Sequence, residues 1–89
     1  MNEEGKNRTA IVTGGSRGIG RGISELLHER GYNVVAGYGG NDEAAAKFTA
    51  ETGIPAYKWD VSDFDACGDA VNMIAEKHDT PTIVINNAG

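Results

Sequence analysis

The sequence has one thiol, Cys67, so no internal disulfide can form. No second Cys and no clustered His supplies the spacing of a zinc site. Both absences suit a reducing cytoplasm. Positive charge is also scarce. Eight Lys and Arg face thirteen Asp and Glu, a net charge of −5, which counts against broad attraction to nucleic acid or an anionic membrane surface while leaving room for a local phosphate-binding spot. No apolar run approaches bilayer length, and the opening MNEEGKNRTA lacks the apolar stretch of a secretory signal. Repeats, low-complexity tracts and linkers are missing too, so residues 1–89 are read as one cytoplasmic unit. What remains is ordinary globular composition, 39% hydrophobic and 24% charged, far from the corner where disorder lives. A chain of 89 residues holds one domain at most, with a thin core.

Strand and helix signals alternate along it. TAIVT (9–13) is short, apolar and β-branched and runs into a glycine cluster, as a buried parallel strand does. From Gly18 to Arg30 the residues Ile19, Ile23, Leu26 and Leu27 share one helical face, and Gly31 follows as a left-handed terminator. NVVAGY (33–38) reads as a second strand. NDEAAAKFTAETG then supplies a cap at Asn41, acids in the first turn and Gly53 past the end. PAYKW (55–59) is a weaker third strand. Ser62 and Asp65 resemble a capping box opening a third helix, whose inner face is Phe64, Cys67, Val71, Ile74 and Ala75. Pro81 closes the next turn and TIVI (82–85) is a fourth strand. Four strands separated by three helices on short connections imply right-handed parallel βαβ units. The expected fold class is therefore α/β: the N-terminal βαβαβαβ portion of a Rossmann-type, doubly wound parallel sheet.

The chemistry concentrates in TGGSRGIG (13–20), between the first strand and first helix. There Gly14, Gly18 and Gly20 permit a tight turn and close approach of backbone to a diphosphate, and the helix start offers free N–H groups. The plainer reading of such a loop is a joint between strand and helix, and the strand-loop-helix context favours the phosphate reading over it. Its spacing is G-x-x-x-G-x-G rather than the common G-x-G-x-x-G. An NAD site usually carries an acid at the end of the second strand for the ribose hydroxyls. Here that point reads AGYGGN, with no acid before Asp42. A 2′-phosphate thus meets no built-in repulsion, and Arg17 in the loop can attract one, which favours NADP(H).

With TGGSRGIG, the DV pair Asp60 and Val61, and NNAG (86–89), the chain resembles the short-chain dehydrogenase/reductase family over residues 9–89. The resemblance covers about the first third of a family member and suggests a chain cut short of its full length. Within the family, AGYGGNDEAAAKFTAETGIPAYKWDVSD is most similar to NADPH-dependent acetoacetyl-CoA reductases of polyhydroxyalkanoate synthesis, with 3-oxoacyl-[acyl carrier protein] reductases as cousins. It implies Gly14, Ser16, Arg17, Gly18, Ile19 and Gly20 around the diphosphate and adenosine ribose, and Gly39 near the 2′-phosphate. It also implies Asp60 at the adenine amino group, Val61 on the ring, Asn86, Ala88 and Gly89 along the path toward the nicotinamide, and Asn87 bracing the loop. An acyl-CoA substrate and a homotetramer are further implications for the full-length parent. Without the loop, Asp60 would read as a solvated acid and the two asparagines as turn formers. Cys67, Trp59 and Phe64 read as packing residues, and His28 and His78 as helix-end residues without a ligand role.

The family's catalytic Tyr and Lys stand at Y-x-x-x-K spacing. Four residues after Tyr32, Tyr38 and Tyr57 come Ala36, Asp42 and Val61, so the chain holds no such pair. Neighbouring Tyr57 and Lys58 do not substitute, since strand neighbours point to opposite faces. The expectation is a cofactor-binding half that is catalytically silent alone, with no catalytic residue and no metal of its own. A competing expectation is a non-catalytic NADP-binding module.

Overall fold

The computed structural model describes residues 8–60, 62–78 and 81–87, excluding the side chains of Phe64, Pro81, Thr82 and Asn86. TAIVT forms β1 (Thr9–Thr13), buried at all five positions. It is hydrogen-bonded on both sides, to β2 (Asn33–Tyr38) and to β4 (Pro81–Asn86), and β2 in turn pairs with β3 (Ala56–Lys58). All pairs are parallel and the order is β3-β2-β1-β4, with Ile11 opposite both Val35 and Val84. A parallel strand flanked by neighbours and covered on both faces has no solvated side, hence the unbroken apolar run. The β1–β4 register slips between Thr9 and Ala10, where Pro81 has no N–H to give the ladder.

Three helices cover the two faces: α1 (Gly18–Glu29), α2 (Asp42–Thr52) and α3 (Phe64–His78). Ala10, Val12, Val34 and Ala36 pack with Phe48 of α2 and with Ile23 and Leu27 of α1. On the other face Ile11, Val35 and Trp59 pack with Ala70 and Ile74 of α3. The chain winds outward from β1 to β3 and then returns to the far side of β1. Its direction thus reverses between β1 and β4, the switch point at which doubly wound sheets open a crevice.

Local chemistry sets the helix ends. Asn41 Oδ1 accepts from Ala44 N–H at 2.9 Å, and α2 finishes at Gly53 with φ 79°. After α1, Gly31 N–H bonds His28 O and Tyr32 N–H bonds Leu27 O, each at 3.1 Å, the paired closure of a Schellman end. That helix stops at Glu29, one residue before the expected Arg30. The cap of α3 differs from the expected Ser62: Asp63 Oδ1 accepts from Ala66 N–H at 3.1 Å. Ser62 turns back to Asp60 instead, because the helix begins at Phe64 and places Asp63 at the cap. The third strand is shorter than 55–59, and the fourth extends over 81–86.

The expected apolar faces are only partly used. On α1, Ile23 and Leu27 reach the core while Ile19 and Leu26 are 78% and 50% exposed. On α3, Ala70 and Ile74 are buried, Cys67 is half-buried against them, and Val71 faces out. The strand residues beneath α3 come from β1 and β2, so Val84 of β4, on that same face, stays 59% exposed. Trp59 lies over Gly37 of β2, where any Cβ would collide with the indole ring. Its buried Nε1 finds no acceptor among the described residues.

Candidate nucleotide site

The glycine loop sits at the carboxyl ends of β1 and β2, beside the switch point. Gly14 and Gly15 N–H both bond Gly37 O, at 2.8 and 3.3 Å, which ties the loop to the end of β2. Gly14 and Gly18 carry φ of 63° and 55°. Gly20 is where close approach matters: a Cβ there would run into Gly14 O and come within 2.7 Å of Asn87 Nδ2. Helix α1 thus starts in contact with the loop. Its first intrahelical bond runs from Arg21 N–H to Arg17 O at 3.1 Å, so the helix itself does not use the N–H groups just before Arg21. These donors and the positive helix end make a place for phosphate oxygens.

Two residues brace this geometry. Ser24 is fully buried, and its Oγ lies 3.0 Å from the carbonyls of both Gly15 and Gly20, its single proton serving one at a time. Asn87 joins the tip of β4 to the loop: its N–H bonds Thr13 Oγ1 at 3.0 Å and its Nδ2 lies 3.5 Å from Gly14 O. Thr13 Oγ1 in turn donates to Ile85 O at 3.2 Å, so one hydroxyl couples the ends of β1 and β4. Sequence reasoning missed Ser24. Its signal was a hydroxyl four residues after Gly20, next to the apolar positions of an amphipathic helix.

Beside the loop opens a cleft of about 130 Å³, lined by Gly14, Ser16 and Arg17 on one side and by Tyr38, Gly39, Gly40 and Asn41 on the other. Gly14, Ser16, Arg17 and Gly39 are therefore together, with Gly18, Ile19 and Gly20 adjoining at the start of α1. Tyr38, Gly40 and Asn41 join them without having been expected. Arg17 occupies the N-cap position without using its side chain as a cap. Seven-membered in lining but cationic at one wall, the cleft suits a phosphate group. A larger groove of about 450 Å³ between α2 and β3 is walled by Ala45, Ala46, Ala50 and Ala56 and carries no cation.

Asp60 lies beyond β3, outside the lining of that cleft. Its Oδ1 accepts from Ser62 Oγ at 2.6 Å and from Ser62 N–H at 2.9 Å. Those two bonds, the hydroxyl's first, hold its carboxyl below the ordinary range against a smaller opposing effect of desolvation. Asn86 is the last residue of β4, opposite Thr13. The expected roles of Val61, Ala88 and Gly89, and of the Asn86 side chain, fall outside the described residues. Among the described residues no three His, Cys, Asp or Glu gather into a metal-holding group, and no helix is long and apolar enough to cross a membrane.

The family model described as short chain dehydrogenase matches residues 8–89. An acetoacetyl-CoA reductase of Paracoccus denitrificans is 52% identical over 82 residues, which are 92% of this chain and 34% of that protein. A 3-oxoacyl-[acyl-carrier-protein] reductase of Staphylococcus aureus is 34% identical over 87 residues, 92% of this chain and 35% of its own length. The crystal structure of BdcA, a protein of E. coli, in complex with NADPH superposes with a TM-score of 0.79 at 38% identity, covering 92% of this chain and 32% of that one. The chain thus spans about a third of the length of the relatives it matches.

Proposed function

Because the chain belongs to the short-chain dehydrogenase family, we propose that it is the cofactor-binding part of an NADPH-dependent reductase acting on a 3-oxoacyl thioester, acetoacetyl-CoA foremost. The observation that carries this reading is the 52% identity to a protein named acetoacetyl-CoA reductase, against 34% to one named for the acyl carrier protein substrate. The cofactor choice rests on the cleft, which presents Arg17 and contains no acid in its lining. Those residues fit a phosphorylated ribose: a guanidinium, a buried serine at Ser16, and glycines at positions 14, 39 and 40 that let a ligand approach the main chain.

Bound NADPH supplies a hydride for a ketone carbon. The residues of this chain bind and orient it. The first turn of α1 would receive the diphosphate and Gly39 would adjoin the 2′-phosphate; by resemblance to the family, Asp60 and Val61 would serve the adenine and Asn86, Ala88 and Gly89 the nicotinamide side. Proton donation needs a Tyr and Lys pair that these residues do not contain, so turnover belongs to the whole protein. That whole protein is a cytoplasmic homotetramer serving polyhydroxybutyrate synthesis in this reading.

The test has two parts. Reading the coding sequence past Gly89 should reveal a Ser and a Y-x-x-x-K. The purified whole protein should then oxidise NADPH, and NADH far more slowly, only when acetoacetyl-CoA is present. Preference for the acyl carrier protein thioester would transfer the assignment to that class. Nucleotide binding with no reductase activity on any 3-oxoacyl thioester would leave a non-catalytic NADP-binding module.

A further inference from the structure

The NADPH reading requires the cleft beside Arg17 to accept a dianionic 2′-phosphate, and this inference rests on that reading. Immediately next to the cleft is an acid. Asp42 is the first residue of α2 and follows Asn41, which forms part of the cleft wall. A carboxylate swung toward a space of about 130 Å³ would face the phosphate across a few ångströms, where like charges at a protein surface repel appreciably.

The side chain is turned the other way. The Tyr38 hydroxyl donates to Asp42 Oδ1 at 3.0 Å, and Lys58 Nζ lies 3.4 Å from both carboxylate oxygens. Asp42 accordingly lines the outer groove between α2 and β3 and not the cleft. The sheet explains why two side chains meet it there. Tyr38 and Lys58 are register partners on β2 and β3, so they project to the same face beside the start of α2. Desolvation, then the hydrogen bond to Asp42 and its charge, raise the Tyr38 phenol above its ordinary value, though an ordinary phenol is already a donor at neutral pH. Asn41 contributes in a different way. Its oxygen accepts from Ala44 N–H at 2.9 Å, which orients the side chain and leaves both amide donors to offer a ligand.

We infer that Tyr38 and Lys58 are positioning residues for cofactor choice: they hold the Asp42 carboxylate out of the cleft, so that a 2′-phosphate meets Arg17 and the Asn41 amide instead of a negative charge. Nothing in the glycine loop or in Arg17 requires this device. It is specific to a chain that places an acid one residue past the cleft wall.

The experiment is calorimetric titration of the whole protein that contains this chain with NADP+ and, separately, NAD+, for the wild type, Lys58→Gln, Tyr38→Phe, Asp42→Asn and the double variants that combine Asp42→Asn with each. Lys58→Gln should weaken NADP+ by about two- to fivefold, the range for exposed charge pairs, while NAD+ affinity stays the same; Tyr38→Phe, a change in the cleft wall, should lower the preference for NADP+ over NAD+ by a similar factor. In the Asp42→Asn background neither substitution should change that preference. A merely structural role would weaken both nucleotides together and would persist in that background, and either result overturns the inference. Tyr38→Phe keeps the ring, so a folding defect in one variant leaves the other to decide. Wild-type whole protein that binds no NADP+ sinks the NADPH reading itself, whereas binding that ignores both single substitutions sinks this inference alone.

Discussion

Two glycines of α1, two residues apart, should respond to alanine with opposite signs. Alanine in a helix interior is favoured over glycine by about 0.5–1 kcal/mol. Gly22 is exposed and a Cβ there meets nothing within 4 Å, so Gly22→Ala should keep that gain and raise Tm by roughly 4 °C in a domain of this size. Gly20 is buried. Its Cβ would collide with the Gly14 carbonyl and crowd Asn87 Nδ2, and two of the three atoms it meets belong to backbone that must move as a unit. Overpacking costs about 1–3 kcal/mol, with the upper end expected where backbone has to shift. Set against the propensity gain, Gly20→Ala should destabilise by about 2 kcal/mol, a fall of roughly 8–16 °C in Tm. It should also weaken NADP+ binding, since the shift opens the contact between loop and helix. Thermal unfolding followed by circular dichroism, at one pH and protein concentration, measures the wild type and both variants side by side. If Gly20→Ala raises Tm as Gly22→Ala does, propensity rather than close approach governs this helix and the reasoning fails.

Other consequences follow from single contacts. Trp59→Ala should cost about 3–5 kcal/mol as a core truncation, but Trp59→Phe should cost little in urea unfolding, because it removes a buried N–H that has no acceptor among the described residues. A loss from Phe as large as that from Ala would show the indole N–H to be satisfied. Thr13→Val deletes the hydroxyl that receives Asn87 N–H and donates to Ile85 O, for an expected loss of about 1–2 kcal/mol. Amide exchange should then quicken at Asn87 before it does in the middle of β1. For Asp60 the folded carboxyl titrates below its ordinary value, so its contribution to stability is present above the unfolded value of about 3.9 and is lost as pH falls through the folded one. An NMR titration should find that Ser62→Ala moves the Asp60 carboxyl upward toward that ordinary value; no movement would remove Ser62 as the cause.

Much of the fold was legible because the signals were local. TAIVT, NVVAGY and TIVI are short apolar runs between helical periodicities, and a chain that alternates them on short connections has few arrangements available other than a parallel sheet covered on both faces. The glycine loop, the Asn41 cap and Gly53 were equally local, each set by what a backbone can do without a Cβ or with one nearby acceptor. Tertiary structure decided what lay between elements. Periodicity gave Ile23, Leu27, Ile19 and Leu26 one shared face, yet only the first two lie over the sheet. Ser62 and Asp63 are both good caps, and the point where α3 starts chose the second. The buried hydroxyl of Ser24 and the meeting of Tyr38, Lys58 and Asp42 each join positions from separate turns or strands. Sequence by itself determined which segments are strands and helices and where a glycine loop meets a helix start, because those depend on neighbours along the chain. Only the tertiary structure decided which apolar residues are covered and which way Asp42 points, because those depend on neighbours across the sheet.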